Sequence, residues 1–207
     1  NEIYGLIHKL QPQCMIGNNH HLDPIAGEDF QMFEQDLPGK NTAGLSFQEA
    51  SALPLESCIT MNDSWGFRIT DHNYKTYSDI IHKLVGAAGR NTNLLLNVGP
   101  MPNGEIQKEF TDTLAMVGAW TKQNGYSIYG TRGGPLKATD QVVSTQNASH
   151  VFIHIFAKPS NNEIIVPGIY KSCSRKDIQC NASSDGLHLK IDQLILTGPD
   201  TIITLDK

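Results

Sequence analysis

Basic residues are in deficit in this chain. Its 207 residues hold 16 Lys+Arg against 21 Asp+Glu, a formal net charge of -5. With no basic field to attract phosphates, nucleic acid and anionic membrane surfaces are excluded as first partners. Long hydrophobic runs are also missing. None approaches the ~20 residues that a membrane-spanning helix needs. Cysteine is scarce: Cys14, Cys58, Cys173 and Cys180 have neither the density of a disulfide scaffold nor the spacing of a zinc site. Cys14 and Cys58 open apolar runs and read as small buried thiols. Cys173 and Cys180 flank a polar loop and read either as free thiols or, in an oxidising compartment, as a local bridge. No Lys or Ser/Thr follows the glycines at the spacing of a phosphate loop.

What is present suffices for a packed fold. The sequence is 39% hydrophobic and 18% charged, outside the range of disordered segments. Up to about residue 134, helical periodicity alternates with short apolar runs. Ile3, Leu6, Ile7 and Leu10 share one helical face that Pro12 ends. Cys14-Met15-Ile16-Gly17 reads as a strand, and a polar segment, residues 18–54, follows. Cys58-Ile59-Thr60-Met61 and Asn93-Leu94-Leu95-Leu96-Asn97-Val98 are two further strands. Between them Tyr74, Tyr77, Ile80, Ile81, Leu84 and Val85 mark a helix. Ile106, Phe110, Leu114, Val117 and Trp120 mark another, with Gly125 placed to stop it. Strand–helix alternation predicts a parallel sheet covered on both faces.

Beyond residue 134 the pattern changes. Residues 151–156, 163–166, 187–191, 194–196 and 201–205 read as short strands. Turn residues such as Pro159-Ser160-Asn161-Asn162, Pro167-Gly168 and Asp185-Gly186 separate them, which predicts a small antiparallel β-sandwich. The expected fold class is therefore α/β, with a division into residues 1–134 and 135–207. Three parallel strands cannot close a barrel, which takes eight, and would leave an unpaired edge. The expectation is that further strands precede Asn1. A first residue that is Asn rather than Met agrees with a processed or truncated product.

Residue types that carry chemistry gather at the predicted strand ends. After the first strand come His20 and His21, then Glu28, Asp29, Glu34 and Asp36. On spacing alone these read either as site residues or as a solvated acidic loop. Adjacent histidines rarely chelate one ion, so no metal is expected, and no cofactor. After the second strand, Trp65 in Asn62-Asp63-Ser64-Trp65-Gly66-Phe67 reads either as core or as a wall on which a sugar ring stacks.

Three motifs in order carry a resemblance. Asn62-Asp63-Ser64-Trp65-Gly66-Phe67, then Asn93-Leu94-Leu95-Leu96-Asn97-Val98-Gly99-Pro100 with Asn103-Gly104, then Tyr126-Ser127-Ile128-Tyr129-Gly130-Thr131, are similar to the C-terminal half of the catalytic barrel of α-L-fucosidases, the retaining family 29 glycoside hydrolases. The resemblance covers most of residues 1–134. It implies the C-terminal part of a (β/α)8-like TIM barrel, followed by the β-sandwich. It also implies a retaining exo-α-L-fucosidase that removes terminal L-fucose from glycans through two carboxyl groups, one a nucleophile and one a general acid/base. Asp29-Phe30-Gln31-Met32-Phe33-Glu34 matches the family context of the acid/base, which makes Glu34 the candidate, with Glu28 and Glu56 behind it. Trp65 matches the aromatic of the fucose pocket, with His20 and His21 at its rim. The Trp-Phe-Asp context of the nucleophile is absent. The chain then reads as a fragment whose partner is the missing N-terminal barrel half. The other reading is a non-catalytic sugar-binding module derived from a fucosidase. Glycan substrates point to an exported compartment: periplasmic, secreted or lysosomal.

Overall fold

The computed structural model describes residues 2–207. They form two compact units that interleave along the chain. One takes residues up to Tyr74 with Asn91–Gln107, and the other Lys75–Arg90 with Lys108–Lys207. The architecture is α/β with one parallel and two antiparallel sheets.

The first unit opens with helix α1, Glu2–Leu10. A four-stranded sheet follows: β1 (Gly17–Asn18), β2 (Phe30–Glu34), β3 (Leu55–Thr60) and β4 (Thr92–Asn97). All neighbours are parallel and lie in chain order. Four strands stand where three were expected, because β2 lies inside the polar segment read as a loop. The register sets Met32 beside Glu56 and Glu34 beside Cys58, with Leu95 across from Cys58. Paired residues and those two apart share a face, so Met32, Glu34, Cys58 and Leu95 lie together. The opposite face carries Phe33 and Ile59, both fully buried.

The polar stretches between these strands are held by side-chain amides and carboxylates. Gln31 is buried and donates to the Glu49 carbonyl, while its own carbonyl accepts from the Ser51 amide. Gln48 donates to the Met32 carbonyl. Asp36, fully buried, accepts from Thr42 and from the Ala43 amide. Glu28 is enclosed in the same way. It accepts from the Tyr4 hydroxyl (3.2 Å), Asn18 Nδ2 (2.9 Å), His20 Nε2 (2.7 Å) and the Ile25 amide (2.8 Å). Glu28 and Asp36 are thus not part of a solvated acidic loop.

The second unit holds helix α2, Tyr77–Ala88, and helix α3, Lys108–Asn124. A capping box starts α2: Thr76 Oγ1 accepts from the Asp79 amide and Asp79 Oδ2 from the Thr76 amide, which fills otherwise orphaned donors. A short 3-10 turn, Gly125–Ser127, follows α3. Strands β5 (Arg132–Gly133), β6 (Val142–Gln146), β7 (His150–Ile155), β8 (Glu163–Val166), β9 (Ser172–Cys173), β10 (Gln179–Ser183), β11 (Gly186–Lys190) and β12 (Thr201–Asp206) come next. They form an antiparallel sheet in the order β5-β6-β7-β12-β9 and a second in the order β10-β11-β8. Both sheets feed one apolar core that includes Ile153, Ile155, Ile164, Val166, Leu189, Ile203 and Leu205. Val143 joins a different cluster with Ile81 and Val85 of α2 and Trp120 of α3. Two-sided burial explains why β6 and β7 are buried at nearly every position. The expected strand at 194–196 is absent. Leu194 plugs the core and Ile195 is exposed.

On the helix side lies a fully buried polar trio. Thr145 Oγ1 is 3.1 Å from His154 Nε2, and His154 Nδ1 is 2.6 Å from Asp200 Oδ2. His154→Ala strands the Asp200 carboxylate. We expect a loss of about 3 kcal/mol or more in urea unfolding.

Burial pushes the Glu28 carboxyl up, but the Asn18, Ile25 and His20 hydrogen bonds outweigh it and hold the group below its ordinary value of 4.5. A carboxylate lowered on folding adds stability that is full above the ordinary value and is lost as pH falls through the folded one. Glu28→Gln is therefore expected to destabilise the fold at neutral pH by about 1–3 kcal/mol. Its stability should converge on that of the parent well below pH 4.5. Urea unfolding at the two pH values measures both.

Candidate active site

Glu34 is the last residue of β2, so the strand itself carries it to the C-terminal edge of the parallel sheet. Trp65 comes five residues after the end of β3 and is held by its backbone: its carbonyl accepts from Nδ2 of Asn97, the last residue of β4, at 2.7 Å. The segment around Trp65 is braced by Asp71. That carboxylate accepts from Ser64 Oγ (2.7 Å) and from the Asp63 and Asn73 amides (3.1 and 3.2 Å). The Ser64 bond is the largest cause of its lowered pKa. Gly99 closes the interlock. A Cβ there would lie 2.5 Å from the Gly66 carbonyl carbon and 2.6 Å from the Phe67 nitrogen. Only glycine lets the turn after β4 approach the Trp65 segment so closely.

Glu34 and Trp65 line one pocket of about 260 Å³ with Asn19, Met32, Cys58 and Leu95. Trp65 is 41% exposed, so it is a wall and not core. Asn19 Nδ2 donates to Glu34 Oε2 at 3.0 Å, and His21 Nε2 lies 3.6 Å from the same oxygen. Cys58 forms part of the lining. Burial, then the charges of Glu56 and Glu34, push its thiol up to about 12. It is therefore a neutral, unreactive thiol and no rival nucleophile.

The remaining candidates separate. His20 and His21 are adjacent, yet only His21 reaches Glu34. His21 takes a left-handed backbone (φ 59), and the two rings have different partners, Glu28 for His20 and Glu34 for His21. Both nitrogens of His20 are engaged: Nε2 with Glu28, while Nδ1 accepts from the Leu22 amide. That arrangement makes Nε2 the protonated nitrogen. Glu28 is enclosed by four donors and its side chain has no exposure. Glu56 sits two residues before Cys58 on the same strand face and accepts from Asn93 Nδ2 at 2.9 Å. Sequence reasoning missed Asn19, Met32, Cys58 and Leu95 as pocket residues. The register of β2 on β3 brings Met32 beside the Cys58 face and that of β3 on β4 adds Leu95, but the polar sequence of β2 hides the strand; Asn19, just past β1, carries no such signal. Among the described residues no group of three His, Cys, Asp or Glu is arranged to hold a metal ion, and no helix is long and apolar enough to cross a membrane.

A chemical group with this arrangement, one accessible carboxyl beside an exposed indole at parallel strand ends, can hold a small amphipathic ligand and exchange a proton with it. Comparison with known proteins agrees on a family. Residues 1–126 match the family model described as alpha-L-fucosidase. The plasma alpha-L-fucosidase of Homo sapiens is 38% identical over 81 residues, which is 37% of this chain and 17% of that protein. The alpha-L-fucosidase of Dictyostelium discoideum is 30% identical over 118 residues, 54% of this chain and 25% of that protein. Among solved structures, alpha-L-fucosidase isoenzyme 1 from Paenibacillus thiaminolyticus aligns over 99% of this chain and 52% of its own, with 31% identity and a TM-score of 0.75. The Thermotoga maritima alpha-fucosidase shares the fold at 17% identity and a TM-score of 0.65. The chain thus spans a quarter or less of the curated relatives and about half of the solved ones. With more than half of its length matched by the family model, the chain belongs to the α-L-fucosidase family.

Proposed function

We propose that this chain is part of a retaining exo-α-L-fucosidase that removes terminal α-linked L-fucose from glycans or glycoconjugates. Residues 1–134 are then the C-terminal portion of a (β/α)8-like barrel, and residues 135–207 the β-sandwich that follows it. The observation that carries the reading is that Glu34 and Trp65, 31 positions apart in sequence, line one pocket at the C-terminal ends of parallel strands. That is the end at which barrel enzymes build their sites. Leu95 is 43% exposed on the same face, in keeping with a surface that further strands of the same fold would cover. These strands, outside the 207 residues, supply the nucleophilic Asp. An exported compartment fits a glycan substrate.

In this reading Trp65 stacks on the apolar face of the fucose ring. The nucleophile, about 5–5.5 Å from Glu34, attacks the anomeric carbon while Glu34 gives its proton to the leaving oxygen. Glu34, now ionised, takes a proton from water, which attacks the same carbon and releases fucose. Both protein contacts of Glu34 fall on Oε2, so Oε1 carries the proton. His21 and Asn19 hold the carboxyl in place, and His21 stands at the rim where a sugar hydroxyl arrives. His20 acts one step back, through Glu28 and the connection that carries Asn19 and His21.

Glu34→Ala in the full-length protein should cut kcat/KM for fucosides with poor leaving groups by about 10²–10⁴-fold. Aryl fucosides with good leaving groups need no proton and should lose far less. Added azide should restore part of the turnover. Equal losses on both substrates without azide rescue would shift the role to Glu56, or to Glu28 if the pocket rearranges. A full-length protein that binds fucose but hydrolyses neither substrate would instead be the sugar-binding module.

Trp65→Ala tests the pocket separately. Loss of the stacking wall should raise KM by about tenfold with a smaller change in kcat. An unchanged KM would place the sugar elsewhere.

A further inference from the structure

Cys173 and Cys180 take no part in the site, and they lie in the unit built from the antiparallel sheets. Cys173 ends β9, the edge strand of the five-stranded sheet. Cys180 lies in β10, the edge strand of the three-stranded sheet. Both side chains pack against the apolar core shared by the two sheets, and the two thiols are near enough for Cys173 to act on the titration of Cys180. Each is half-buried. The loop between them carries Arg175 and Asp177, joined by two hydrogen bonds of 2.8 and 2.6 Å, so the loop is already folded back on itself. β9 pairs with its sheet through only two residues, which leaves it a weakly held edge.

We propose that Cys173 and Cys180 form a disulfide that ties β9 to β10 and closes the loop 174–179. The pairing needs little motion. Both side chains already lie against the same apolar core, and a disulfide brings their sulfurs to ~2 Å. The co-reactant is a low-molecular-weight disulfide, RS–SR. Cys173 as thiolate attacks one of its sulfurs, forming a mixed disulfide and releasing one RS⁻. Cys180 then loses its proton and attacks the Cys173 sulfur, and the second RS⁻ leaves. Two thiols are oxidised and RS–SR is reduced to two RSH. Burial, and Cys173 beside it, push the Cys180 thiol up to about 12, so the second step is slow at neutral pH and accelerates as pH rises.

The test is to incubate the native protein with oxidised glutathione, denature it, alkylate the remaining thiols and digest with trypsin without reductant. Trypsin cuts after Lys171, Arg175, Lys176 and Lys190, so the bridge must join two separate peptides, 172–175 and 177–190. The expected result is that joined species, lost on reduction, with Cys14 and Cys58 alkylated. The oxidised protein should also melt a few degrees above the reduced one. Cys173→Ser should abolish both the joined species and the rise in melting temperature. Separate peptides, each alkylated or each carrying glutathione, would overturn the proposal. So would a rise in melting temperature that survives Cys173→Ser.

Discussion

A carboxylate taken out of water is costly unless its lone pairs are filled, and Glu28 is the point where this constraint organises the first unit. Its two oxygens draw one donor from α1 (Tyr4), one from β1 (Asn18) and two from the connection between β1 and β2 (His20 and the Ile25 amide). Asp29 next door is still partly in water, yet it too is tied down, accepting from the Ile16 amide at 2.7 Å and lying 3.0 Å from His8 of α1. A connection with no helix of its own is thereby fixed in place. Two of its side chains, Asn19 and His21, are aimed at Glu34 as a result. The geometry of the candidate acid/base thus rests on a second carboxylate that no ligand can touch.

The other wall of the pocket depends on steric fit. Trp65 is presented by a segment whose backbone is gripped from β4 by Asn97 and abutted by Gly99. Two of the three motifs that carry the family resemblance are therefore in contact, and their residue types follow from that contact. Gly99 has no room for a Cβ. The Asn97 amide fills the Trp65 carbonyl, and Ser64 and Asp63 fill Asp71. A glycine forced by close approach and an Asn forced by a backbone acceptor leave marks that can be read without coordinates.

Legibility failed where polar groups are buried and satisfied. β2 reads Phe-Gln-Met-Phe-Glu, and its Gln31 breaks the apolar run. Periodicity arguments score hydrophobicity, but Gln31 is fully buried because its amide completes the hydrogen bonds of the 49–51 backbone. The same blindness made Glu28 and Asp36 look like solvent-facing charges. At the exposed extreme, β10 reads Gln-Cys-Asn-Ala-Ser, with almost no buried side chain. Its pairing with β11 rests on the backbone ladder, with Cys180 the one side chain of the strand packed on the core. By contrast, apolar burial decides α2, α3, β7 and β12 and makes them visible, while β4 is legible from its Leu94-Leu95-Leu96 run although Thr92 is its one buried residue. Glu34 was reached through its neighbours in sequence, and the strand that positions it was not.

Residue types alone mislead about chemistry, as a comparison inside this molecule makes plain. Thr145, His154 and Asp200 stand at 3.1 and 2.6 Å in the order of a hydroxyl, an imidazole and a carboxylate, the order found in hydrolytic triads. All three are closed to solvent, or nearly so. Thr145 donates its proton to the Ser127 carbonyl at 2.6 Å, so the imidazole does not activate the hydroxyl and no substrate reaches it. Glu34 has poorer company, an amide at 3.0 Å and an imidazole at 3.6 Å, yet it borders an open pocket beside an exposed indole. Proton transfer requires that the reacting group arrive, so access ranks above the perfection of the hydrogen-bond chain. The same criterion sets Glu28 below Glu34: the better-bonded carboxylate braces the connection, and the less-bonded one, on the open pocket, is the candidate acid/base.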